Sequence, residues 1–237
     1  MINNWSYTKL IDYEQCPYRV KLKHIDKVPE ERAEAAERGT TIHQLAEDFV
    51  RGKLKDLPSE LRHFAAEFAV LRDEFKAGNV SLEGEWGFDK DWMPTDWRSA
   101  WLRVKGDAVL TRPGQAVVID HKTGRKHGNE LKHGEQVQLY AIATLIRNPA
   151  LSEITVELWY LDKDDISDKT YTRADALRYV QPFTKRAEKL CSDTEFRPNP
   201  NIFSCQWCPF GPNKGGQCEY GVSSTQGPLQ NYRRKFG

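Results

Sequence analysis

Neither sign of charge dominates this chain of 237 residues: 35 Lys and Arg stand against 34 Asp and Glu, for a net charge of +1. That balance excludes a global electrostatic pull toward nucleic acid or an anionic surface, so any such affinity has to come from a local patch. Long apolar runs are missing as well. The chain has no uninterrupted run of about 18 apolar residues, which argues against a helical membrane span, and no membrane partner is expected. The start Met1-Ile-Asn-Asn-Trp has neither the basic opening nor the apolar core of a secretory leader. A reducing cytoplasm is therefore expected, in a prokaryotic cell or phage-infected host on grounds of compactness. No internal repeat, low-complexity segment or appended base-reading module is visible. With 39% hydrophobic residues the chain can bury a core, and one domain over residues 1–237 is expected.

What is present begins with a hairpin pattern. Two β-branched, apolar stretches, 102–110 and 115–122, flank Arg112-Pro113-Gly114, which carries turn chemistry. Strand side chains alternate faces, so Asp120 and Lys122 project to one side. Asp107 and Asp120 straddle the turn almost evenly, which sets them opposite one another in an antiparallel register. Two carboxylates and an ammonium converge.

Paired carboxylates are the ligands that hard cations such as Mg²⁺ and Mn²⁺ prefer. A cation held there acidifies its bound water and neutralises charge on a phosphate. Lys122 can orient the water or stabilise the extra negative charge of the transition state, as a base or as an electrostatic anchor. Further along, Gln136 and Tyr140 are one helical turn apart and share a face. Upstream, Arg38-Gly39-Thr40-Thr41-Ile42-His43-Gln44-Leu45-Ala46-Glu47 reads as a helix start capped by Thr40 or Thr41, with His43 and Glu47 on one face. His43 is a candidate metal ligand or a half-buried histidine, and Glu47 a second ligand or a solvated acid. Glu85 is a weaker candidate on a preceding strand.

Gly106-Asp107, Asp120-x-Lys122 and Gln136-x-x-x-Tyr140 resemble motifs II and III and the trailing helix motif of the PD-(D/E)XK nuclease superfamily. The Gly-x-x-x-His segment at His43 resembles motif I of its RecB-like branch, which includes the CRISPR-associated RecB-like exonucleases. The resemblance implies an α/β fold, a restriction-endonuclease-like core with a mixed central β-sheet flanked by helices. It implies a metal-dependent DNA nuclease, in which His43, Asp107, Asp120 and the Ile119 carbonyl hold Mg²⁺ or Mn²⁺. Lys122 then positions the water, and Gln136 and Tyr140 contact DNA or the active centre. Exonuclease action on single-stranded DNA or duplex ends, leaving 5′-phosphates, is expected. The alternative is a non-catalytic DNA-binding or assembly module of a recombination or CRISPR adaptation complex.

Five cysteines occur. Cys205-Gln-Trp-Cys208 with Cys218 close by is a metal signal that needs a fourth thiolate, from Cys16 or Cys191. Four thiolates suit a [4Fe–4S] cluster or a structural Zn²⁺. By the resemblance, one N-terminal and three C-terminal cysteines hold an iron–sulfur cluster, which selects Cys16 and leaves Cys191 as an ordinary buried thiol. The segments 1–38 and 192–220 would then be joined by this centre, with a mobile tail from 221 to 237 ending Tyr232-Arg-Arg-Lys-Phe-Gly.

Helices are predicted over about 6–23, 41–51, 59–76 and 173–191, a helix at Gln136, and strands over 81–88, 102–110, 116–121 and 154–160. Lys122, Arg125, Lys126, His127, Lys132 and His133 form a local basic patch that lines phosphates or a solvated loop. Arg19, Lys21 and Lys23 form a weaker one. Trp92, Trp97 and Trp101 stack on unpaired bases or, as favoured here, cover the sheet.

Overall fold

The computed structural model describes residues 1–30, 34–124 and 126–223. Arg125 of the basic patch and the tail beyond residue 223, Tyr232 included, lie outside the described residues. The chain divides into two compact units, a contiguous one over Glu34–Thr184 and one made from both ends, Met1–Ala33 with Lys185–Gly237.

The central unit is built on a mixed sheet of six strands in the order β2-β1-β3-β4-β5-β6. These are β1 (Val80–Phe88), β2 (Pro94–Thr95), β3 (Leu102–Arg112), β4 (Gln115–Lys122), β5 (Glu153–Tyr160) and β6 (Asp165–Thr172). β4 and β5 run parallel and the other pairs are antiparallel. The expected hairpin is β3–β4. Arg112 pairs with Gln115, so Pro113-Gly114 makes the whole turn, and Gly114 takes the left-handed φ of 76 that favours glycine. The parallel β4–β5 step needs a crossover, which α5 (Glu130–Arg147) supplies.

Alternation along β4 sorts its side chains into two layers. Ile119 joins a core with Ala108, Val80 and Trp159 from the sheet, and with Ile42, Phe49, Phe64, Phe68 and Leu71 from the helical region. That region comprises α3 (Glu34–Val50), a 3-10 turn (Ser59–Phe64) and α4 (Ala65–Lys76). On the opposite face lie Asp120 and Lys122, beside α5, whose Leu139, Ala141, Ile142, Ala143 and Leu145 are buried. Trp92 and Trp101 are buried, as the sheet-covering reading expects, while Trp97 is half-buried with the Arg103 guanidinium 5.2 Å from its ring.

Several elements differ from expectation. α3 is already formed at Glu34, so Thr40 and Thr41 do not cap it; their hydroxyls donate back to the Ala36 and Glu37 carbonyls inside the helix. Sequence reasoning missed β2 and β6. The helix expected over 173–191 is interrupted, giving α6 (Arg173–Leu177) and α7 (Val180–Ser192).

In the terminal unit, Ser6 caps α1 (Tyr7–Gln15), accepting from the Lys9 backbone N–H. The expected helix over 6–23 breaks at Cys16, whose extended backbone precedes α2 (Pro17–Val20) and a π-turn, Lys21–Ile25. Proline explains the break, because it disfavours the α conformation of the residue before it and starts the next helix well.

Candidate active site and cysteine centre

Asp107 and Asp120 end up where the hairpin register points. The last paired residues of the β3–β4 ladder on that side are Ala108 and Ile119, so the next position sets Asp107 across from Asp120. There the side chain takes over from the backbone. The His121 N–H donates to Asp107 Oδ2 at 2.6 Å, and the ladder opens into a cleft of about 830 Å³. His43, Glu47, Asp107, Asp120, Lys122, Gln136 and Tyr140 all line it.

Asp120 and Tyr140 are the most enclosed of these groups, each 4% exposed. Tyr140 donates to Asp120 Oδ1 at 2.7 Å, Gln136 Nε2 donates to the Tyr140 hydroxyl at 2.7 Å, and Lys122 Nζ donates to Gln136 Oε1 at 2.8 Å. Lys122 Nζ also stands 2.5 Å from Asp120 Oδ2 and closes the ring as an ion pair. That contact lies off hydrogen-bond geometry, so Oδ2 is a buried oxygen with no hydrogen bond. Burial pushes the Asp120 pKa up; the Lys122 ammonium opposes this and the Asp107 charge adds to it. Tyr140 is buried at the cleft wall, with its hydroxyl on the Asp120 carboxylate.

Asp107 is held the other way. Burial alone would raise its pKa, but the His43 hydrogen bond, the neighbouring His121 and the backbone N–H together bring it down to about 2. His43 Nδ1 lies 3.0 Å from Asp107 Oδ1. This partner lifts the His43 pKa although burial works against it. One ligand atom each from His43, Asp107 and His121 lie within 4.8 Å of one another. Two imidazoles beside carboxylates tilt the donor set toward Mn²⁺ over Mg²⁺, which prefers oxygen ligands alone.

Sequence reasoning missed three neighbours. His121 alternates away from Asp120 and packs among Phe68, Trp159 and His43, where burial lowers its pKa to about 4. Lys105 and Glu83 line the cleft. Spacing could have found Lys105, two residues before Asp107 on one strand face; nothing in the pattern singled out His121 or Glu83. Of the weaker candidates, Glu47 reaches the cleft but Arg51 Nε holds it at 2.6 Å, and Glu85 is exposed, opposite Lys105 in the ladder.

Among the described residues of the basic patch, Lys122 faces the cleft while Lys126 and His133 meet at Tyr160. Lys126 pairs with Asp165 at 2.5 Å and sits over the Tyr160 ring, His133 Nδ1 is 2.9 Å from the Tyr160 hydroxyl, and His127 and Lys132 are exposed. Arg19, Lys21 and Lys23 pair with Asp12, Asp26 and Glu30.

In the terminal unit, Cys16, Cys205, Cys208 and Cys218 line one cavity with Tyr18 and Arg19. None of the four is in a disulfide. The nine residues between Cys208 and Cys218 fold back on themselves: Gly216 N–H donates to the Gly211 carbonyl at 3.0 Å and Cys218 N–H to the Phe210 carbonyl at 2.9 Å. A Cβ on Gly216 would lie 2.2 Å from the Phe210 backbone, so this turn admits only glycine without rearrangement. Burial pushes the Cys208 and Cys218 thiols up, and the neighbouring thiols push the same way. Among the described residues no three cysteine sulfurs lie within 4.8 Å of one another.

No helix of the described residues is long and apolar enough to cross a membrane. No curated protein matches the chain. The crystal structure of SSO0001 is similar at 18% identity, over 89% of this chain and 84% of that one, with a TM-score of 0.43. A profile of the PD-(D/E)XK nuclease superfamily matches residues 4–212, a span that contains both carboxylates, the lysine between sheet and α5, and most of the cysteine segment. On that match the chain belongs to the PD-(D/E)XK nuclease superfamily.

Proposed function

We propose that the protein is a Mg²⁺- or Mn²⁺-dependent deoxyribonuclease of the RecB-like branch, an exonuclease on single-stranded DNA or duplex ends that leaves 5′-phosphates. The observation that carries this reading is the closed ring Asp120, Lys122, Gln136, Tyr140, set beside the His43–Asp107 pair in one cleft. The residues fit a cation, because the Asp107 and Asp120 carboxylates and the His43 imidazole line one cleft, a donor set of the kind divalent cations take. Asp107, Asp120, the Ile119 carbonyl and His43 would hold a divalent cation, which would supply an acidified water and neutralise charge on the phosphate. Lys122 orients that water, and Gln136 fixes the ammonium. Tyr140 fixes Asp120, while the His121 N–H and His43 fix Asp107. Attack by the water oxygen in line with the leaving group breaks the P–O3′ bond; the phosphate stays on the 5′ oxygen, the attacking water gives up a proton to solvent and the leaving 3′ oxygen takes one up.

Labelled single- and double-stranded DNA incubated with Mg²⁺, Mn²⁺ or EDTA tests it. Cleavage should need the cation, and Asp120→Ala or Lys122→Ala should lower it by about a thousandfold or more while circular dichroism stays native. Activity retained in either variant refutes the assignment, and DNA binding without cleavage favours an assembly module instead.

The same reading gives the terminal unit a [4Fe–4S] cluster on Cys16, Cys205, Cys208 and Cys218, with structural Zn²⁺ as the alternative. A single tetrahedral zinc at ~2.3 Å from each sulfur draws them to within ~4 Å of one another. Four thiolates from these positions suit either centre. Iron and zinc analysis of the purified protein separates the two.

A further inference from the structure

Glu83 and Lys105 line the cleft yet take no part in the chemistry above. Lys105 stands two residues before Asp107 on β3, so both side chains leave the sheet on one face, roughly 7 Å apart along the strand. Its partner across the β1–β3 ladder is Glu85. Its ammonium nevertheless lies 2.5 Å from Glu83, one diagonal step closer to Asp107.

An unusual backbone produces this contact. Glu83 adopts a left-handed φ of 52 in mid-strand, at the ladder position facing Asp107, between the pairs Leu82↔Ala108 and Gly84↔Gly106. Any residue with a Cβ resists that conformation, and strain of this kind persists where surrounding structure imposes it, often beside a ligand. Of the two ammonium groups that line the cleft, Lys122 is enclosed, its side chain 17% exposed, whereas Lys105 is 53% exposed at the rim.

We infer that Lys105 is a phosphate-binding residue, taking the backbone phosphate next to the scissile one, and that Glu83 is the positioning residue that holds its ammonium at the cleft rim. The inference rests on the nuclease reading. Carboxylate and phosphate compete for one ammonium, so Glu83 orders Lys105 and also weakens its hold on the strand.

Fluorescence anisotropy with a labelled single-stranded oligonucleotide in EDTA, over a range of salt, reads the contact without cleavage. Lys105→Ala should raise Kd roughly tenfold. It should also flatten the slope of log affinity against log salt by about 0.7, the share of one phosphate contact. Lys105→Arg keeps the slope. Glu83→Gln should tighten binding a few-fold, and that gain should vanish when Lys105 is already Ala. In parallel cleavage assays the cation concentration for half-maximal rate should be unchanged in both variants. A wild-type Kd and slope in Lys105→Ala, a Glu83→Gln effect that survives without Lys105, or a shifted cation requirement overturns the inference. If the wild-type protein binds and cleaves but Lys105 is silent, this inference fails alone; if it does neither, the nuclease reading falls with it.

Discussion

Asp120 sits where a carboxylate is least comfortable, buried, across from a second acid, with one oxygen bonded by Tyr140 and the other only paired with Lys122. Removing the hydroxyl should therefore cost more than an ordinary hydrogen bond, because it strands a buried charged oxygen. Tyr140→Phe is expected to destabilise the protein by about 1–3 kcal/mol. It should also cut cleavage by roughly tenfold or more, the usual effect of losing a group that orients a metal-binding carboxylate. Chemical denaturation and the nuclease assay check both; wild-type values in each would show that the Tyr140 contact carries nothing. At this scale Asp107, Asp120 and Lys122 were legible in the sequence because strand alternation and a Pro-Gly turn fix their faces and register. His121 was not, since the same alternation sends it into the core with Phe68 and Trp159. Its approach to Asp107, with Nδ1 3.7 Å from Oδ2, depends on the ladder opening there. Glu83 depends on a backbone angle that no residue pattern announces.

The sequence showed the hairpin and α5 because each has a strong period, two for β3 and β4 and nearly four for the helix. Elements without one were lost. β6 is a polar edge strand, Asp165-Ile-Ser-Asp-Lys-Thr-Tyr-Thr, in which only Tyr171 is buried, so its alternation carries no apolar signal. α3 was started too late because threonine serves equally as a cap and, by bonding back to a carbonyl, inside a helix. The first turn of α5 carries a pH effect of its own. Burial lowers the His133 pKa to about 4 from an ordinary 6.5, with Lys122 and Lys132 pushing the same way and Glu130 against. A folded pKa below the unfolded one means that the unfolded chain takes up the proton first. Stability from this group is present above pH 6.5 and is lost as pH falls toward about 4. His133→Gln should therefore reduce the steepness of the fall in stability over that window, by less than one proton because the group is only half enclosed. Urea midpoints at several pH values measure it, and parallel curves for variant and wild type would contradict the assignment.

Both ends of the chain meet in the terminal unit, and their contacts are of two kinds. One kind is already in place: Arg186 grips Glu14 through Nε and Nη2 at 2.7 and 2.8 Å, Tyr13 donates to Asp193 at 2.7 Å, and Tyr18 donates to Glu219 at 3.0 Å. The Arg186–Glu14 and Tyr18–Glu219 pairs are exposed and contribute little each. The other kind would come from the proposed metal centre on Cys16, Cys205, Cys208 and Cys218, which would close a loop of about 190 residues, worth about 5 kcal/mol in the chain-entropy treatment of a covalent cross-link. The Asn199 N–H donates to Cys16 Sγ at 3.4 Å, and the glycine turn at Gly211 and Gly216 brings Cys218 back to Cys208. The cysteine spacing was legible, but the closing of the nine-residue gap was not, because it depends on backbone hydrogen bonds and on Gly216 lying against Phe210. Cys16→Ala should then lose the visible absorption of an iron–sulfur centre together with its iron and sulfide, and should unfold at lower temperature than the wild type. If zinc fills the site, the wild type is colourless and the variant loses one zinc along with the same stability. A variant that keeps its metal, its spectrum and its melting temperature would show that Cys16 is not a ligand, and that the two ends are held by the contacts of the first kind alone.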